Sequence, residues 1–121
     1  MPEAQQEEIR AALDAVYECI NTGDDIVAVL SAGNGDYWVR VSKDKMVIFW
    51  PYSIEAVDPF LGDIGKWIDP LEFEECAPGE TLTLSIGLPR MKVLMAVVDQ
   101  IFAKVLKLGG AYEVNFTFEQ G

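Results

Sequence analysis

Tyr37-Trp38-Val39-Arg40-Val41-Ser42 and Met46-Val47-Ile48-Phe49-Trp50, joined by Lys43-Asp44-Lys45, decide how this chain folds. Both runs are rich in β-branched and aromatic residues, and a short polar connection between two such runs is the pattern of an antiparallel hairpin. Upstream, Ile26-Val27-Ala28-Val29-Leu30 is apolar on both faces, which suits a central strand or one covered on two sides. The intervening Ala32-Gly33-Asn34-Gly35-Asp36 must turn, so three antiparallel strands run in series. Pro51 ends the third, because it has no N–H to give to the ladder.

Further out, Ile9, Leu13, Val16 and Ile20 recur at helical spacing, with Glu3, Glu7 and Glu8 toward the positive end of the dipole. An amphipathic helix is predicted over 3–21, stopped at Asn21-Thr22-Gly23. On the other side, residues 52–68 carry Ile54, Val57, Phe60, Leu61 and Ile64 but are broken by Pro59, Gly62 and Gly65, which predicts a flap with one or two helical turns. Leu71 and Phe73 alternate with Glu72 and Glu74. Leu82, Leu84 and Ile86 alternate with Thr81, Thr83 and Ser85 across Ala77-Pro78-Gly79-Glu80, giving a second hairpin with one wet face. A long helix is expected from Pro89 to Leu108, with Lys104 and Lys107 in its last turn and Gly109-Gly110 after it. A final strand follows, with Tyr112, Val114, Phe116 and Phe118 inward and Glu113, Asn115 and Thr117 outward. The expectation is one α+β domain over 1–121. A mostly antiparallel sheet of five to six strands lies against one layer of helices, with a helix at the N-terminus and a long helix before the last strand.

Composition limits the chemistry. The 121 residues are 50% hydrophobic, enough for a core that buries roughly two-thirds of the unfolded surface. Histidine is absent, which removes the commonest general base near neutral pH, the usual partner of serine and cysteine nucleophiles, and the commonest metal ligand. Cys19 and Cys76 share no metal or redox spacing and are expected to be reduced and structural. Gly33-Asn34-Gly35 begins like a dinucleotide fingerprint, but Trp38 stands where the third glycine belongs and a strand follows. Neither Asp24-Asp25 nor Asp58 with Asp63 has calcium-loop spacing. Asp69 with Glu72, Glu74 and Glu75 could bind a hard cation or run acid/base chemistry. Alternation instead makes Glu72 and Glu74 an ordinary solvated face. No enzyme, metal or cofactor is implied. The stretch from Met91 to Leu108 is interrupted by Lys92, Asp99, Gln100, Lys104 and Lys107, so it does not cross a bilayer. The acidic N-terminus is unlike a secretion signal, and a cytoplasmic location is expected.

The charge is what remains to be used. Twenty acidic side chains face nine basic ones, a net −11, and residues 51–80 hold eight acids against Lys66. Such a surface repels nucleic acid and anionic lipid and attracts a basic protein. Aromatics gather in the same region: Trp38, Trp50, Tyr52 and Trp67. Strand alternation separates Tyr37 from Trp38 and Phe49 from Trp50, so one of each pair faces away from the helices unless the flap covers it. The expected partner-binding residues are therefore Trp38, Trp50, Tyr52, Asp58, Asp63, Trp67, Asp69, Glu72, Glu74 and Glu75.

This arrangement resembles the small bacterial α+β proteins similar to type III secretion chaperones. The resemblance is carried by the leading helix, the strands 37–41 and 46–50, the loop Phe60-Leu61-Gly62-Asp63-Ile64-Gly65, the strand 81–86, the helix 89–108 and the strand 112–118. It implies a small, acidic, non-enzymatic protein that binds another protein, and it carries over no catalytic residue. A secretion chaperone usually ends in a helix, whereas this chain ends in a strand. The leading expectation is a binding module of the inhibitor, immunity or chaperone type. The rivals are a nucleic-acid mimic that blocks a DNA- or RNA-binding protein, and a small-molecule binder or carboxylate-based enzyme. A homodimer is left open.

Overall fold

The computed structural model describes residues 3–22, 26–33, 35–87, 90–108 and 114–120. Its elements run α1 (Glu3–Thr22), β1 (Ile26–Ala32), β2 (Tyr37–Val41), β3 (Lys45–Phe49), a 3-10 turn (Ile54–Ala56) leading into α2 (Val57–Ile64), β4 (Leu71–Ala77), β5 (Thr81–Ile86), α3 (Met91–Gln100) extended by a π-helical turn (Ile101–Val105), and β6 (Asn115–Gln120). The expected α+β class holds. The six strands form one antiparallel sheet in the order β4-β5-β3-β2-β1-β6.

Directly opposed residues in an antiparallel ladder share a face, so the register sorts every side chain. Ala28, Leu30, Ala32, Val39, Val41, Met46, Ile48, Leu82, Leu84 and Ile86 occupy one face and are all buried. They form a single core with Ile9, Leu13 and Val16 of α1, Val57, Phe60 and Ile64 of α2, and Leu94, Val97, Val98, Ile101 and Phe102 of the last helix. All three helices thus cover the same side of the sheet.

Several sequence expectations change. The flap is part of the core: Val57, Phe60, Ile64 and Ile68 are buried, and Pro59 falls in the first turn of α2, where a missing N–H breaks no helical bond. It packs on the helix side and leaves the other face of the sheet uncovered. The last helix does not stay α-helical to Leu108. The Leu106 N–H donates to the Ile101 carbonyl and the Leu108 N–H to the Phe102 carbonyl, which widens the final turn. The extra residue per turn brings Leu106 into the core with Ile101 and Phe102, while Val105 stays half-buried. The helix stop expected at Gly109-Gly110, the Pro89 start, Gly23, and Tyr112 and Glu113 lie outside the described residues. Lys107, with φ of 60°, makes the left-handed exit instead.

Phe116 and Phe118 do point to the helix side, opposite Leu30 and Ala28. They are nevertheless 36% and 47% exposed, because β6 is the sheet edge and α1 covers it only in part.

Candidate functional site

The uncovered face carries the chemistry. Reading across the registers, Glu75, Thr83, Val47, Arg40, Val29 and Thr117 form one row spanning all six strands. Beside it, Thr81 lies opposite Phe49, and Ser31 lies opposite both Trp38 and Asn115. The Trp38 and Phe49 rings are 6.4 Å apart, and the Arg40 guanidinium lies 5.7 Å from the Trp38 ring centre. Among the described residues, none on this face is buried, and Trp38, Val27, Val29 and Val47 stand apart from the core cluster. The face thus has an apolar and aromatic centre around Arg40, whose charge is paired with Glu119, with threonine and serine between that centre and the β4 edge.

At that edge the sequence Glu72-Phe73-Glu74-Glu75 meets a β-bulge. Phe73 is opposite Leu84 and Glu75 is opposite Thr83, which leaves Glu74 as the additional residue. Simple alternation would have sent Glu75 to the helix side. The bulge resets the phase, so Glu72 faces Ser85, Glu75 faces Thr83, and Glu74 reaches Lys45 at 3.5 Å. Three carboxylates therefore stand on the open face. The described ion pairs there are Lys45–Glu74 and Arg40–Glu119, the latter at 3.1 Å. Among the described residues, Glu72 and Glu75 have no cationic partner. Strands lie about 4.8 Å apart and residues about 3.4 Å apart along them, so Glu75 is about 12 Å from Phe49 and about 16 Å from Trp38, and Glu72 lies further along the edge.

The ten expected contact residues divide. Trp38, Glu72, Glu74 and Glu75 come together on the open face. Trp50 is removed from any contact surface, because it is buried to 1% exposure and its indole N–H donates to the Ser53 carbonyl at 3.1 Å. Its ring packs against Phe60 and Tyr52, with centroids 5.2 and 5.3 Å away, so it anchors the flap. Tyr52 is half-buried beside it and donates its hydroxyl to the Val105 carbonyl, tying β3 to the end of the last helix. Asp58 and Asp63 are exposed on α2, and Trp67 (53% exposed) and Asp69 lie between α2 and β4. The sequence reading missed Val27, Val29, Val47 and Phe49 as part of the face. Arg40 two residues after Trp38, and Lys45 two residues before Val47, are the signals that mark this face as the wet one.

Among the described residues no three potential metal ligands gather, and burial pushes the Cys76 thiol up, away from the reactive thiolate. Glu55 is held below its usual carboxylate range by its own backbone N–H and the Ser53 hydroxyl, at the entry to α2. One open groove of ≈ 630 Å³ runs along Asp36, Tyr37, Phe49, Pro51, Tyr52 and Leu106–Leu108. Neither Trp38 nor Trp50 lines it.

Fold and site together define an antiparallel α+β domain with one helix-covered face and one open, acid-edged aromatic face. Compared with protein-family models, curated proteins and solved structures, the chain matches none. No described helix is long and apolar enough to cross a membrane.

Proposed function

We propose that this chain is a non-catalytic, cytoplasmic protein-binding module that takes a basic segment of a partner protein across the open face of its sheet. The observation that carries the reading is the juxtaposition of an uncovered Trp38–Phe49–Val47–Val29 centre with the Glu72, Glu74 and Glu75 edge. Apolar residues on an uncovered face gain by being covered, and aromatics there supply large contact area at small entropic cost. The carboxylates select the sign of the partner's charge and speed its encounter. The spacing restricts the ligand further. A cation at Glu75 and an apolar side chain at Phe49 or Trp38 are about 12–16 Å apart, or about four to five residues of extended chain.

The helix-and-strand order is in keeping with the resemblance to secretion-chaperone-like proteins, which would make the partner a protein to be held or inhibited. The nucleic-acid mimic finds less support, since three carboxylates in one short row do not trace the two phosphate strands of a duplex. The reading is tested by co-purification from the native cell with wild type and with a variant carrying Trp38→Ala, Glu72→Gln and Glu75→Gln. A basic protein retained by wild type and lost from the variant supports it. A partner held equally by both places the interaction on another surface and ends this assignment.

A further inference from the structure

The two edges of the sheet are built differently. β4 is blunted by a bulge and by three glutamates, the usual defences against edge-to-edge pairing. β6 has no bulge, and its one charged side chain, Glu119, is paired with Arg40 of β2. Its six residues pair with β1 in an unbroken register, without bulge, proline or lysine. Among the described residues nothing pairs with its outer side, and it presents Phe116 and Phe118, in edge-to-face contact at 6.0 Å, as exposed apolar surface beside the core.

We propose that β6 pairs antiparallel with β6 of a second copy of this chain, joining two sheets into one across a two-fold axis at Thr117. The strand is self-complementary, which favours a second copy as its partner. Helices on the same side of a continuous sheet require residues of like parity to be opposed. Three such registers are close at hand. Centring on Phe116 sets Phe118 against Val114 of the other copy, and centring on Phe118 leaves Phe116 with no aromatic opposite it. Centring on Thr117 sets Phe116 against Phe118 twice, Asn115 against Glu119 twice, and Thr117 against itself. The other two oppose one phenylalanine to its own copy and leave the second without an aromatic; only the last opposes both phenylalanines to phenylalanines on the helix side and gives each Glu119 an amide donor on the open side. Each copy carries −11, so net repulsion opposes the pairing and salt favours it. The open-face interaction has the opposite salt dependence, and the two are therefore separable.

Sedimentation equilibrium of the whole chain at ~0.5 M NaCl, where screening acts over about 4 Å, tests this register. Asn115 and Thr117 are exposed, so their substitution leaves the fold intact, which circular dichroism checks. Each change acts twice in a two-fold interface. Asn115→Lys, opposed to Glu119, should tighten the dimer about tenfold, and Asn115→Glu and Thr117→Lys should each weaken it about tenfold. A wild-type chain that stays monomeric up to ~1 mM overturns the proposal, as do dissociation constants within twofold of one another or Asn115→Lys weakening the dimer.

Discussion

Replacing Trp50 by phenylalanine measures what the indole does in the core, and Trp38→Phe is its control. Trp50 is buried, donates one hydrogen bond to the Ser53 carbonyl and holds Phe60 of α2. Losing the bond costs about 1 kcal/mol, because Ser53 is exposed and its carbonyl can recover water. The smaller ring removes less apolar area from water, about 1 kcal/mol more, and the unfilled space adds about another 1 kcal/mol. A total of about 3 kcal/mol lowers the Tm of a chain this size by roughly 10 °C. Trp38 lies on the open face outside the core, so the same change there should cost under about 1 kcal/mol. Urea unfolding followed by far-UV circular dichroism gives both values from midpoint and slope. Equal losses at the two positions, or a loss below about 1 kcal/mol at Trp50, would refute the assignment of core and open face.

Three further outcomes are expected. Gly62→Ala in α2, where nothing lies within 4 Å of the new methyl group, should stabilise by about 0.5–1 kcal/mol in thermal or urea unfolding. Gly33→Ala should destabilise by more than about 1 kcal/mol in the same assay, since its φ is +62° and the added carbon meets the Tyr37 ring at 2.9 Å. Burial pushes the Tyr17 phenol up to about 12. Its contribution to stability should therefore be complete below pH ~10, the unfolded value, and be lost as pH rises toward 12. Ultraviolet titration of wild type against Tyr17→Phe, with unfolding midpoints, reads both.

The local elements were legible because periodicity changes sharply along the chain. Tyr37–Trp50 reads as a hairpin, and the Leu94-Val97-Val98-Ile101-Phe102 stripe can only be a helix face over a sheet. The π-helical turn was not legible, since it is a compromise that brings Leu106 into the core and has no composition of its own. Strand order was equally hidden, because β3 pairs with β5 and β6 with β1 through contacts far apart in sequence. The site was half visible. Alternation established that Trp38 and Trp50 belong to different faces from their neighbours, and Arg40 and Lys45 held the clue to which face is wet. Alternation puts Glu72 and Glu74 on the wet face, and the bulge at Glu74 is what brings Glu75 to the same face as a third carboxylate. In the flap, Val57, Phe60 and Ile64 mark the helical turns despite Pro59, Gly62 and Gly65, but nothing in their spacing says which face of the sheet the flap packs on.

The association rate of the co-purified basic partner, followed by stopped flow as ionic strength rises, tests the central claim most directly. For wild type the rate should fall steeply with salt, and for Glu72→Gln/Glu74→Gln/Glu75→Gln it should start lower and fall less. Trp38→Ala should leave that rate nearly unchanged and speed dissociation. Rates indifferent to salt and to the three glutamates would contradict the account.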